Sequence, residues 1–308
     1  MSTLLISHAA CLKHRLEPGH LEVPGRLEAV MQALEAPGFA GLLREEAPLA
    51  TSAQIKRVHP QEHILHIQNT EPESGLASID FDTHMSPGSW EAALRAAGAG
   101  VRAVDAVMGG EATNAFCAVR PPGHHGEPMR AMGFCLFNNV AIAARHAMAQ
   151  HGAERIAIVD FDIHHGNGTQ AAFWSEPNVL YASTHMMPHY PGTGAASETG
   201  AGNIFNAPLR AGDDGKAFAA AMREVILPAL DAFRPDMVMI SAGFDAHIHD
   251  PLGGLRLSVD DFVWITRELC SIGEHHAKGR VISFLEGGYD LTALARCAAA
   301  HVETLMQA

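Results

Sequence analysis

Short apolar runs alternate with longer helical stretches along the whole chain, and most of the runs stop at a cluster of polar residues. Residues 4–7, 115–119, 156–159, 178–183, 237–240 and 281–285 read as strands. They are apolar without polar alternation, as expected of a parallel sheet buried on both faces. Asn206-Ala207-Pro208 closes another short strand. Helices are predicted at 24–34, where Pro24 suits the first turn, and at 60–68, 88–108, 168–174 and 216–233, the last kinked by Pro228. Asn138 or Asn139 caps a helix reaching residue 150. Ser258 opens another with Asp261 as the acidic partner of a capping box, and an Ala-rich helix ends the chain. Alternating strands and helices, with no repeat or linker, imply one parallel α/β domain over residues 1–308. The segment 69–88 reads as a long loop, with Glu71, Glu73, Asp80 and Asp82 facing water.

Composition narrows the function classes. Hydrophobic residues make up 47% and charged residues 18% of 308, enough apolar surface for a large core and too much for wholesale disorder. The net charge of -13 argues against a nucleic-acid surface. Five cysteines without a C-x-x-C pair fit reduced thiols of a cytoplasmic protein, with Cys117 and Cys297 in the core. No signal peptide and no membrane-spanning run is expected. Many of the twenty histidines are expected at the surface.

The chemistry gathers where predicted strands end. After 156–159 the chain reads D-F-D-I-H-H-G-N-G-T, and in extended chain Asp160, Asp162 and His164 share a face. Carboxylate and imidazole two residues apart suit a divalent metal, and zinc takes both. The plainer alternative is a polar strand-to-helix turn whose Asp caps the next helix. After 115–119, R-P-P-G-H-H sets His124 and His125 on a rigid turn suited to proton transfer. S-A-G-F-D presents Asp245, and E-G-G-Y presents Tyr289. Strand ends of this kind converge in a doubly wound sheet. Arg26, a cation opposing the dipole of its helix, is held by a buried carboxylate, serves an anion, or is simply at the surface.

R-P-P-G-H-H, G-F-C-L-F-N-N, V-D-F-D-I-H-H-G-N-G-T, P-G-T-G, S-A-G-F-D and E-G-G-Y occur in an order that resembles the histone deacetylase and acetylpolyamine amidohydrolase superfamily over nearly the whole chain. The style is that of class II deacetylases and their bacterial relatives. The resemblance implies an arginase-like α/β fold with a mostly parallel eight-stranded sheet flanked by helices. It implies one zinc ion per chain on Asp162, His164 and Asp245, and catalytic His124, His125 and Tyr289. Asp160 is the implied partner of His124. Asn167 is that of His125, a class II feature. Gly133, Phe134 and Tyr190 match the family's substrate tunnel, Arg26 its internal channel, and Asp160, Asp162, His164, Ser183 and Thr184 a structural potassium site.

The implied activity is zinc-dependent removal of acetyl or short acyl groups from lysine side chains or related small amides, with release of acetate. Leu252 stands where the polyamine-specific class II relative has an acidic residue, which favours acyl-lysine. Acetylpolyamine deacetylation is one alternative, because another branch of the family uses a carboxylate from the earlier loop and Glu71, Glu73, Asp80 and Asp82 lie in such a loop; a catalytically silent acyl-lysine-binding module is another. An arginase-like dimanganese centre needs more ligands than the sequence offers. No nucleic-acid or membrane partner is implied, and a homo-oligomer is compatible with the sequence.

Overall fold

The computed structural model describes residues 2–308. Strands β1 (Thr3–Ser7) and β2 (Leu43–Glu46) come first, then β3 (Ala77–Ser78) and β4 (His84–Met85). β5 (Asn114–Cys117), β6 (Ile156–Asp160), β7 (Val179–Met186), β8 (Ile204–Leu209), β9 (Met237–Ala242) and β10 (Val281–Leu285) follow. Eight of them form one sheet in the order β2-β1-β5-β10-β9-β6-β7-β8. Every neighbouring pair is parallel, so the "mostly parallel" expectation becomes entirely parallel. All carboxyl ends therefore open on one edge. β5, β10, β9 and β6 are consecutive in the sheet, and they carry the four chemical motifs.

Helices cover both faces. Ser89–Gly109 packs on Asn139–His151 and the sheet, while Pro24–Ala33 and Val259–Ala277 pack on the final helix, Leu291–Gln307. Asn138 caps its helix through Ala141 N–H at 3.0 Å. Ser258 and Asp261 form the expected capping box. Before Pro228 the helix Gly215–Ala221 widens into a π turn, Met222–Ile226, and resumes at Leu227–Phe233. Proline lacks the N–H that a regular turn requires, and the wider turn absorbs the defect.

The strand closed by Asn206-Ala207-Pro208 ends at Leu209, within a residue of the expectation. Two expectations change. The segment 69–88 is not all loop, because β3 and β4 pair there as an antiparallel hairpin. Its acids are not simply solvated, since Glu71 Oε1 accepts Trp90 N–H at 2.8 Å and Asp80 Oδ1 accepts the Asp82 and Thr83 N–H groups; of the four, only Glu73 is exposed. Eleven of the twenty histidines are buried, and only His66, His249 and His275 are exposed. All five cysteines are free and buried. Among the described residues, no helix is long and apolar enough to cross a membrane.

Candidate active site

Beyond β6 the backbone leaves the extended form, so simple alternation does not place the three motif residues. Asp160 Oδ1 accepts Asp162 N–H at 3.2 Å, and Asp162 Oδ1 accepts His164 N–H at 2.9 Å. Each acid shapes the turn that presents the next residue. Asp160 then faces His124, whereas Asp162 and His164 meet Asp245 from the end of β9. His164 Nδ1 lies 3.0 Å from Asp162 Oδ1 and 3.1 Å from Asp245 Oδ2. One donor atom from each residue lies within 4.8 Å of the others, and all three residues are buried.

Two carboxylates so close cannot both stay charged cheaply. Burial, and then the Asp162 charge, push Asp245 up to about 7. A divalent cation among them removes this repulsion and uses every donor, with the oxygen and nitrogen ligands that zinc takes. The donor set fits the metal. A second cluster, Asp105, His146 and His151, does not. There an Arg57 N–H donates to His146 Nδ1 at 2.6 Å, which leaves His146 Nε2 as an N–H donor to Asp105 at 2.7 Å. That cluster closes on itself through hydrogen bonds.

The two adjacent histidines have opposite surroundings. Burial disfavours the charged form of both. For His124 the nearby Asp160 and Asp162 carboxylates outweigh burial and hold it well above its ordinary value; its Nδ1 donates to Asp160 Oδ2 at 3.0 Å. For His125, burial followed by the neighbouring His124 and His164 rings holds it well below. His125 Nδ1 lies 2.8 Å from Asn167 Oδ1. The Asn167 amide donates to Glu127 Oε1 at 2.7 Å, which fixes the oxygen toward His125. His125 therefore carries its proton on Nδ1, and Nε2 keeps the lone pair.

The turn after β10 locks onto its neighbours residue by residue. Glu286 Oε2 accepts Gly123 and His124 N–H at 2.7 and 3.2 Å, and its Oε1 accepts the Ser241 hydroxyl at 3.1 Å. Gly287 N–H donates to Asp162 Oδ2 at 2.8 Å. A side chain there is impossible, because a Cβ on Gly287 would stand 2.1 Å from Asp245 Oδ2. Arg26 is fully buried, which excludes the surface reading. It donates to the Glu286 and Gly288 carbonyls, pairs with Glu22 at 3.0 Å, and lies 4.8 Å over the Tyr289 ring. Glu22 also binds Arg120.

A pocket of about 190 Å³ opens over this floor, lined by His124, His125, Gly133, Phe134, His164, Tyr190, Leu252 and Tyr289, all named from sequence. Asp82 and His189 line it too. Asp82 Oδ1 accepts Gly133 N–H at 3.1 Å, and the Thr83 hydroxyl accepts Phe134 N–H at 3.1 Å. The pair holds Phe134 at φ 66°, an unusual conformation for a side-chain-bearing residue. His189 stacks on His164 at 4.9 Å. Ser183 sits in register with Asp160, with Thr184 beside it, both buried, so the residues implied for potassium are neighbours. Sequence reasoning missed Glu22, Glu127 and Glu286 as supports, although Glu286 stands inside the E-G-G-Y motif itself.

A family model for the histone deacetylase domain matches residues 20–305. The chain belongs to the histone deacetylase family. The histone deacetylase-like amidohydrolase of Pseudomonas aeruginosa is 40% identical over 293 residues, covering 93% of this chain and 77% of that protein. A probable deacetylase of Archaeoglobus fulgidus is 38% identical over 298 residues, 94% of this chain and 82% of the relative. Human polyamine deacetylase HDAC10 is 37% identical over 326 residues, 99% of this chain but 48% of that protein. The crystal structure of the HDA15 HD domain matches with a TM-score of 0.95 at 36% identity, covering 99% of this chain and 88% of that one. Membership in the histone deacetylase family makes the chain a hydrolase of the amidohydrolase and deacetylase type. The zinc dependence general to the family agrees with the Asp162, His164 and Asp245 cluster.

Proposed function

We propose that this chain hydrolyses the amide of an acetylated or short-acylated primary amine, with the lysine side chain as the preferred carrier, and releases acetate. The observation that carries this reading is the meeting, on one pocket floor, of a zinc-type donor cluster, two oppositely tuned histidines and the Tyr289 phenol. One zinc ion on Asp162, His164 and Asp245 supplies Lewis acidity to the carbonyl and to water. Burial keeps the Tyr289 phenol protonated, well above its ordinary pKa, so its O–H donates to the carbonyl oxygen as negative charge develops there. His125, neutral with Nε2 free, takes the proton of the attacking water. His124, held cationic by Asp160, supports the developing anion, and His125 returns the proton to the leaving amine. Phe134 and Tyr190 enclose the aliphatic chain.

Residues 1–308 act as one catalytic domain in this proposal, supported by a family match spanning 20–305. Structural potassium at Asp160, Asp162, His164, Ser183 and Thr184 belongs to it as well. So does a cytoplasmic setting, which the five free thiols suit.

Apolar Leu252 on the pocket wall favours acyl-lysine. A second reading, acetylpolyamine hydrolysis, is favoured by Asp82, a carboxylate that also lines the pocket and can hold a distant ammonium. Comparing kcat/KM for an acetyl-lysine peptide and for acetylputrescine decides between them. A preference for the peptide supports the first reading, and a preference for acetylputrescine that Asp82→Asn abolishes establishes the second.

A further inference from the structure

Five residues beyond Asp245 the same loop carries Asp250, which no motif singled out. Its Oδ2 accepts the backbone N–H of Tyr289 at 2.6 Å and of Asp290 at 3.3 Å. Its Oδ1 accepts Leu252 N–H at 2.9 Å. The other ties on the E-G-G-Y turn fall on residues 286–288: Gly287 N–H to Asp162, and the Glu286 and Gly288 carbonyls to Arg26. Asp250 alone among these holds the backbone of Tyr289 itself. One carboxylate thus joins the loop bearing Asp245, the pocket wall at Leu252 and the residue that carries the phenol.

We propose that Asp250 is a positioning residue that sets the Tyr289 hydroxyl relative to the Asp162, His164 and Asp245 cluster. It acts through Tyr289 and does not touch substrate. This rests on the hydrolase reading above, in which Tyr289 donates to the carbonyl oxygen. An Asn in its place has one oxygen and one NH2 group. Whichever way that amide turns, a donor meets either the Tyr289 and Asp290 N–H groups or the Leu252 N–H, so one hold is lost. Displacing a catalytic donor by about 1 Å costs roughly 100-fold in rate.

The test is a double-mutant cycle on zinc-loaded protein, with metal content and thermal unfolding measured on every sample. Asp250→Asn is expected to lower kcat about 10- to 100-fold while KM moves less than about threefold. In a Tyr289→Phe background the same change is expected to cost less than about twofold, because the group it positions is gone. A folded, zinc-loaded Asp250→Asn protein with wild-type kcat overturns the proposal. So does a change confined to KM, or a loss that repeats in full in the Tyr289→Phe background. Wild-type turnover by Tyr289→Phe alone instead rejects the parent mechanism, before Asp250 is altered. If Asp250→Asn does not fold, Asp250→Glu, which keeps the charge but moves the oxygens, enters the same cycle with the same expected outcomes.

Discussion

At the scale of single residues, the site works by giving like groups unlike neighbours. His124 and His125 are adjacent, with ring centroids 4.0 Å apart, yet one faces a carboxylate and the other an amide oxygen. The Asp160 and Asp162 carboxylates hold His124 well above its ordinary value, whereas burial and then the His124 and His164 rings hold His125 well below. Tyr289→Phe removes the donor to the carbonyl oxygen and is expected to lower kcat about 100- to 1000-fold, or about 3–4 kcal/mol, with KM little changed; steady-state kinetics on an acetyl-lysine peptide measures it. Gly133→Ala is expected to abolish most activity, because Gly133 has φ 57° and its new Cβ would meet the His125 ring at 2.4 Å. Zinc binding by that variant is expected to persist, and its loss would place the damage elsewhere.

The residues that bear chemistry were legible because each type is costly to bury without a purpose and each sits in a short motif at a strand end. Of their supports, Asp160 and Asn167 were legible in the same motif, but others were not. Glu127 matters only because it orients the Asn167 amide, and Glu22 because it lies between Arg26 and Arg120. The Glu127–Asn167 and Glu22–Arg120 contacts join residues distant in the chain, and spacing carries no trace of them, whereas Glu22 and Arg26 stand only four residues apart and spacing could have paired them.

At the scale of elements, what the chain announces is what it buries. β5, β6, β7, β9 and β10 are buried along their whole lengths, and their apolar runs gave them away. β2 reads L-R-E-E, lies exposed at the sheet edge and has no apolar signature; charges there discourage pairing with another sheet. The β3–β4 hairpin was hidden for a similar reason, since each of its strands is two residues long. The hairpin leads into Gly88 and the helix Ser89–Gly109, whose start is capped from a distance by Glu71. Glu71→Ala leaves that helix N–H without its acceptor and is expected to cost about 1 kcal/mol of stability. Chemical denaturation measures this, with kcat of the folded variant expected to stay near wild type.

At the scale of the whole molecule, the large number of histidines becomes a property of the interior. Burial depresses His59 and His301 to about 3 and His14 to about 4, while in the unfolded chain such rings titrate near 6.5. The native protein keeps them neutral. Their contribution to stability is complete above pH 6.5 and is lost as pH falls below that value toward the folded ones, on the order of 2 kcal/mol per ring by pH 5. His124, held above its ordinary value by Asp160 and Asp162, works in the opposite direction and offsets part of this. Thermal melts are therefore expected to shift markedly downward between pH 7 and pH 5. A melting temperature flat across that window would mean that the buried rings are not neutral.

The most direct measurement is acetate release from an acetyl-lysine peptide by protein stripped of metal, by the same protein reloaded with zinc, and by an Asp162→Ala variant treated identically. The account predicts that stripping abolishes release, that about one zinc per chain restores it, and that the variant stays silent. Undiminished release by the stripped protein or by the variant, or no release from the fully zinc-loaded wild type with either acetyl-lysine or acetylputrescine, would contradict it.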